Sequence, residues 1–439
     1  MLGPLLSKTV FADRLSLIRD KMAKYETIFD PDEICKSQCL SFNRVWKYAY
    51  ENTIFYERWK KDNKLPDQIS SLDEIDCFPE LTKQDLNKCR DIIFGQFKGC
   101  RTVSTGGSTG EPTIFPVHND DYLNIYADAY LGRAWSGIKP FDRMVSLWGH
   151  SHLFGSGLKG RVNEFKRRLK DKMINTVRLN AYDMRPETIA DYYGVVKKTK
   201  PIVVIGYTSS IYKLARYIVD YELEGSIGNQ LKVVIPTAET VSESDVTVMR
   251  QAFGKPVAIE YGMAETGVIA YSRKQTFDMP IFWDSFVCRV EQGNGLKVTT
   301  ISNRMFPLIN YRTEDVVSPS LIHGNNLLRI NRVEGRVQES FTLRSRNGEP
   351  LVLSGILIVH IMKSYPNIYS VQGEQLPEGR ICVHLVSGKT LNLDDAKVHF
   401  VRMLIKDHPD HDDDAILFQQ NPETQLSLAG KERIMRFNS

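Results

Sequence analysis

The chain has 439 residues, 57 Lys and Arg against 53 Asp and Glu, and a net charge of +4. A hydrophobic share of 42% with 25% charged residues excludes a disordered tail or a fibrous repeat, and the length suits two or three domains. So small a charge excess on so large a surface gives no footprint for nucleic acid, and no apolar run approaches the length of a membrane span.

The N-terminal stretch MLGPLLSKTVFADRLSLIRDK lacks a signal-peptide core of the usual length and a small-residue cleavage site. The seven cysteines are scattered and no pair has CxxC spacing, so they read as structural thiols of a reducing compartment. The expected location is therefore the cytoplasm. Residues 43–62, NRVWKYAYENTIFYERWKKD, carry aromatics at helical spacing and predict one amphipathic helix, its stripe facing a core. FPELTKQDLNK, from Phe78, predicts a turn into a helix with Thr82 as N-cap.

The stretch STGGSTGEPT follows at 104–113. Glycines let a backbone approach a ligand closely, successive N–H groups make an anion cradle, and hydroxyls add rotatable donors. A phosphate loop and a solvated turn both fit this composition. The stretch matches neither a Walker loop nor the dinucleotide fingerprint, so a phosphate loop here is of another class. DDYLNIYADAYLGRAWSGI predicts a helix ending near Gly137, and MVSLWG a strand. His150 and His152 follow that strand, either lining an acyl pocket or lying in a plain loop. GSGLKG at 155–160 matches the dinucleotide pattern but stands five residues from the strand, which makes it weak. KGRVNEFKRRLKDK at 159–172 holds seven basic and two acidic residues. A solvated helix face, an anionic lipid surface or the phosphates of a large cofactor would each account for it.

Regular alternation comes next. Helix PETIADYYGVVKKTK, strand PIVVIG, helix SSIYKLARYIVDYEL, strand LKVVIPT, a helix opened by Ser-x-x-Asp and strand PVAIEYG predict βαβ units around a mostly parallel sheet. Ligands of such sheets bind beyond the strand carboxyl ends, where PTAET and EYGMAETG stand. From about residue 283 hairpins take over, turning at Gly293–Gly295 and at Asn347–Gly348. The last hundred residues read as a small α+β domain. The expected fold class is thus α/β, with a large domain at 1–334 and a small mobile one at 335–439.

STGGSTGEP, PTAET, EYGMAETG, YRTEDVV, VEGRVQES and AGKERIM occur in this order. The set resembles the acyl-adenylate-forming superfamily. The likeness is nearest the phenylacetate–coenzyme A ligases and the related capsule-biosynthesis adenylating proteins, whose branch FPELTKQDL and IGYTSSIYKLA also resemble. The resemblance implies a ligase that joins a carboxylic acid to the α-phosphorus of ATP and expels pyrophosphate. It assigns Ser104, Thr105, Gly106, Gly107, Ser108, Thr109 and Gly110 to the phosphates. It assigns Ala238, Glu239, Tyr261, Gly262, Met263 and Ala264 to the adenine region, and Asp315 to the ribose hydroxyls. Glu265 would hold magnesium. Arg336 would close over the nucleotide, and Lys431 would meet the reacting carboxylate and phosphate. Trp148, His150, Tyr207 and Gly262 would line the acyl pocket.

Two positions depart from the family pattern. Glu314 stands where the family often has glycine before its aspartate. Glu339 stands near the hinge that usually contains aspartate. The acyl acceptor reads as an amine or hydroxyl, for example on a sugar in surface-polysaccharide assembly, with coenzyme A and a chemically inactive nucleotide-binding protein as alternatives. Peripheral contact with the inner face of the membrane and a homodimer stay open as partners, and nucleic acid is not among them.

Overall fold

A computed structural model of the chain describes residues 12–97, 100–104, 114–149, 169–181, 183–302, 304–336, 340–405, 408–425 and 434–436. Thr105 to Gly110, His150, His152, the GSGLKG stretch, most of the basic run, Glu339 and Lys431 lie outside the described residues. No helix among the described residues is long and apolar enough to cross a membrane. The backbone divides into two compact units. One comprises Met1–Asp142, Met173–Asn175 and Ala258–Val333; the other comprises Arg143–Lys172, Thr176–Val257 and Glu334–Ser439.

The first unit opens with helices Ala12–Thr27, Pro31–Asn52 and Ile54–Asp62. The single helix expected over 43–62 is in fact two. Thr53 leaves the helical region, at φ −129° and ψ 128°, and its hydroxyl accepts from the Tyr56 amide to start the second helix. A β-branched hydroxyl residue is a better cap than helix interior. The aromatic stripe is core, as expected. Trp46 and Phe42 are fully buried, with ring centroids 5.0 and 5.3 Å from that of Phe78. An antiparallel five-stranded sheet completes this unit, in the order Phe286–Val290, Gly295–Thr300, Tyr311–His323, Asn326–Arg336 and Met279–Pro280. A further pairing of Cys288 with Leu327 joins the first strand to the fourth. This sheet is larger than the hairpin read from the sequence. The hairpin Glu260–Met263 with Gly267–Tyr271 belongs to the same unit.

The second unit carries the parallel sheet. Strands Thr176–Asn180, Met144–Trp148, Val203–Tyr207 and Val233–Thr237 lie side by side in that order, all parallel. Gly206 is needed there, because a Cβ would lie 2.3 Å from the Leu147 carbonyl oxygen. Helix Glu243–Phe253 starts on the expected cap, a reciprocal Ser242–Asp245 box. The C-terminal residues add a mixed sheet in the order Ile416–Asn421, Arg380–Ser387, Ile368–Leu376 and Met435–Arg436, with helices Gly355–Lys363 and Leu393–Leu404. These elements rest on helices of the same unit. Lys363 forms a buried ion pair with Asp245 at 2.5 Å and lies over the Tyr212 ring, and the Tyr212 hydroxyl donates to the Ile368 carbonyl at 3.1 Å.

Candidate active site

In the first unit the EYGMAETG turn and the YRTEDVV strand bring three of the expected residues together. The Tyr261 hydroxyl donates to Asp315 Oδ2 at 2.8 Å. The Tyr311 hydroxyl, on a fully buried ring, donates to Glu265 Oε1 at 3.3 Å. Gly262 admits no side chain, since a Cβ would lie 2.3 Å from the Gly267 carbonyl oxygen across the hairpin. Met263 ends the Glu260–Met263 strand, and Ala264 is exposed in the turn before Glu265.

Asp315 owes its placement to a bulge. Arg312 pairs with Lys297 and Val316 with Gly295, so the strand gains residues between these two pairs. Glu314 there takes φ 67°, the left-handed region. This explains the family's frequent glycine: a residue without Cβ enters that region freely. The Thr313 hydroxyl stitches the bulge, donating to the Leu296 carbonyl at 2.8 Å and accepting from the Asp315 amide at 3.1 Å.

Sequence reasoning missed Lys83. Leu81 runs parallel to Tyr311, with its amide donating to the Asn310 carbonyl and its carbonyl accepting from the Arg312 amide. The Thr82–Asp85 box then starts the next helix, as expected, at Lys83. Lys83 Nζ so comes to 3.5 Å from Glu314 Oε2, and its charge also acts on Glu265. The FPELTK stretch, read as a turn into a capped helix and as a family likeness, is what supplies this cation.

Burial pushes the Glu265 carboxyl above its ordinary range; the Lys83 charge opposes this and the Asp315 charge adds to it. A half-buried carboxylate raised in this way, with a second acid near it, suits a hard divalent cation. Magnesium takes one or two carboxylates together with phosphate oxygens and water, so the residues present fit it.

In the second unit, Ala238 takes φ 66° just after the Val233–Thr237 strand. The Glu239 carboxylate accepts from the Ser209 amide at 2.8 Å, and the Thr208 hydroxyl donates to the Glu239 carbonyl at 3.3 Å. This carboxylate therefore caps the Thr208–Asp220 helix. Two of the expected acyl-pocket residues meet: the Trp148 and Tyr207 rings lie 4.8 Å apart, tilted by 46°. Ser104 ends a strand paired with Ile114–Val117, so its partner Ile114 stands on the far side of the glycine-rich stretch. Arg336 ends its strand.

This architecture has the fold of adenylate-forming ligases. A 2-hydroxyisobutyryl-CoA ligase bound to an acyl-adenylate superposes with a TM-score of 0.72 at 15% identity, covering 93% of this chain and 90% of that one. An anthranilate CoA ligase bound to anthranoyl-AMP superposes with a TM-score of 0.52 at 11% identity, covering 75% and 65%. By sequence, the chain is 25% identical to Protein CapK of Staphylococcus aureus over 323 residues, 72% of this chain and 70% of that one. It is also 25% identical to a phenylacetate-coenzyme A ligase of Escherichia coli over 348 residues, 73% and 75%. No family model matches. The resemblance to the acyl-adenylate-forming superfamily, in its phenylacetate–coenzyme A ligase-like branch near CapK, thus holds in both sequence and fold.

Proposed function

We propose that the protein activates a carboxylic acid with ATP as an acyl-adenylate and passes the acyl group to an amine or hydroxyl acceptor in surface-polysaccharide assembly. One observation carries this reading: within a single unit the Tyr261 hydroxyl holds Asp315, the Tyr311 hydroxyl holds Glu265 and the Lys83 charge acts on Glu265, groups of the kind that a nucleotide's ribose and phosphates require. The Tyr261 hydroxyl fixes Asp315 Oδ2, and the carboxylate presents acceptors for the two vicinal ribose hydroxyls. The same bond fixes the Tyr261 ring, whose face is offered to adenine. Lys83 would serve the phosphates as a cation, a task shared with Ser104 to Gly110. Magnesium, held by Glu265, would neutralise charge on the departing pyrophosphate. Ala238 and Glu239 border the base, Trp148, Tyr207 and Gly262 shape the acyl pocket with His150, and Arg336 closes over the nucleotide. Lys431 meets the carboxylate and α-phosphate as charge grows between them.

The small domain from 335 would turn about the segment holding Glu339 to serve the second step. That turn breaks the buried Lys363–Asp245 pair. The likeness to CapK supports the polysaccharide setting, and that setting supports peripheral contact with a membrane's inner face through the basic run. The likeness to phenylacetate-coenzyme A ligases supports a second reading, a thioester with coenzyme A. Pyrophosphate exchange across aromatic, aliphatic, amino and sugar acids tests the first half-reaction. The best acid, incubated with and without coenzyme A, then separates a thioester from an amide or ester. Exchange unchanged in Lys431→Ala would overturn the role given to that lysine.

A further inference from the structure

The C-terminal sheet holds a cluster that the reaction outlined above does not use. His384 Nδ1 lies 2.9 Å from Arg436 Nη1 and 2.8 Å from Asn421 Nδ2. Arginine only donates, so Nδ1 must be the acceptor and the ring proton must sit on Nε2. Nε2 then donates to Glu374 Oε2 at 2.7 Å. His384 is buried, and burial pushes its imidazole below the ordinary range. A neutral ring of one tautomer is thereby fixed from three strands.

The same sheet pins both flanks of the segment 426–433. On one side Gln372 and Gln425 exchange two bonds of 2.8 Å, side-chain amide to backbone. On the other, the Gly373 amide donates to the Ile434 carbonyl at 2.7 Å, and Gly373 and Glu374 pair in parallel with Met435 and Arg436. Three consecutive residues of one strand therefore hold both ends of the segment that contains Lys431. Arg436, the last residue of that hold, is itself held by His384.

We propose that His384 is a positioning residue, which fixes Arg436 through the Nδ1 lone pair and so fixes the anchor that sets the reach of Lys431. The inference rests on the role proposed for Lys431. Two features set it apart from a cation site on Glu374, Cys382 and His384, whose ligand atoms lie within 4.8 Å of one another. The Arg436 guanidinium already occupies the imidazole's free nitrogen, and burial pushes the Cys382 thiol up to about 11, away from the thiolate a metal needs. The groups facing His384 are Glu374 and Asn421 from the neighbouring strands, Arg436 from the strand beyond that of Glu374, and Cys382 from its own. As pH falls below the ordinary imidazole range, a proton on Nδ1 removes the acceptor and sets a second cation against Arg436, and Glu374 offsets only part of this.

Amide hydrogen exchange of the full-length protein, read by mass spectrometry, tests the anchor without any substrate. His384→Leu should speed exchange at 434–436 by about tenfold or more, the worth of a charge-assisted bond, and leave helix Leu393–Leu404 unchanged. Arg436→Met should do the same with the ring in place, and His384→Asn, which keeps an acceptor toward Arg436, should stay within about threefold of the native chain. Once an acid is found, His384→Leu and Arg436→Met should lower kcat for pyrophosphate exchange and leave KM for ATP unchanged. Native-like protection at 434–436 in both His384→Leu and Arg436→Met would overturn the anchor. Faster amide exchange with kcat unchanged would overturn its link to Lys431. Thermal stabilisation by zinc chloride that disappears in Cys382→Ser would reassign the cluster to a metal. If no acid turns over, the proposed activity fails, while the amide exchange still judges the anchor.

Discussion

The first unit contains two clusters of carboxylates that the fold treats in opposite ways. Asp128 and Asp284 enclose Lys21, whose ammonium lies 2.8 and 2.7 Å from them, with side chains 5%, 0% and 8% exposed. Ser285 donates to Asp128 and accepts from Lys21, and Tyr25 donates to Asp284. The cation sits between the acids, and the surrounding donors are turned inward. Glu265 and Asp315 are held by hydroxyls. Tyrosine hydroxyls hold one oxygen of each, and Lys83 makes its own contact with Glu314 instead. Desolvated charges that are mutually closed serve the fold; acids held through a hydroxyl on one oxygen can still take a cation or a hydroxyl from outside on the other.

The sharpest way to break the contrast is to remove each cluster's cation. Lys21→Met leaves two buried acids without a partner and should cost about 3–5 kcal/mol in urea unfolding. ATP affinity of the folded fraction should not change. Lys21 is raised in the fold, by Asp128 and Asp284 acting against its burial, so its contribution is complete below pH 10.5 and fades as pH rises through the folded value. Lys83→Met should do the reverse: unfolding within about 1 kcal/mol of native, because its pair with Glu314 is partly exposed, but weaker ATP binding by calorimetry. Substantial unfolding in Lys83→Met with intact ATP binding would erase the distinction.

Asp315→Asn sharpens the contrast next. A charge-assisted bond to a ribose hydroxyl is worth about 1.5–3 kcal/mol, so affinity for ATP should fall roughly 10–100-fold. The midpoint of unfolding should barely move, since asparagine still accepts from Tyr261.

What could be read in advance divides along a similar line. The Thr82–Asp85 and Ser242–Asp245 caps were legible because each is complete within four residues. The helix break at Thr53 was not, because apolar spacing continues across it from Ala49 to Phe55 and Tyr56. Glu314 stood out as a departure from the family, but only the paired strand shows the bulge that gives it meaning. Lys83 and Glu314 are 231 residues apart, and Lys21 and Asp284 are 263 apart. No local pattern links such residues; only the parallel run of Leu81 along Tyr311 and the packing of the first helix do. The motifs thus pointed to the carboxylates, and the fold set the cations near them.

Glu265→Gln tests the hydroxyl-held cluster directly. The native carboxyl is raised, so the fold loses stability as pH climbs from about 4.5, the unfolded value, through the higher folded one. Glutamine removes that penalty, and the variant should match or exceed native stability at pH 7.5 and lose the advantage near pH 4. Magnesium-dependent pyrophosphate exchange should fall by about a hundredfold or more, as for loss of one electrostatic stabiliser. A variant both less stable and still active would mean that Glu265 is a structural acid like Asp128.

The smallest effect belongs to Glu314→Gly. Left-handed backbone costs a non-glycine residue about 1–2 kcal/mol, which glycine would relieve. Against that stand the partly exposed pair with Lys83, worth about 0–1 kcal/mol, and the greater entropy of glycine in the unfolded chain, about 0.5–1 kcal/mol. The three nearly cancel, and the unfolding free energy should stay within about 1 kcal/mol of native. Binding need not cancel in the same way. Freed from Glu314, the Lys83 ammonium has Glu265 and an incoming anion as its remaining partners, so affinity for ATP should rise and the rise should shrink as salt is added. A fall in affinity would instead mean that Glu314 holds Lys83 in place for the nucleotide, and that the open cluster depends on a third acid to keep its cation aimed.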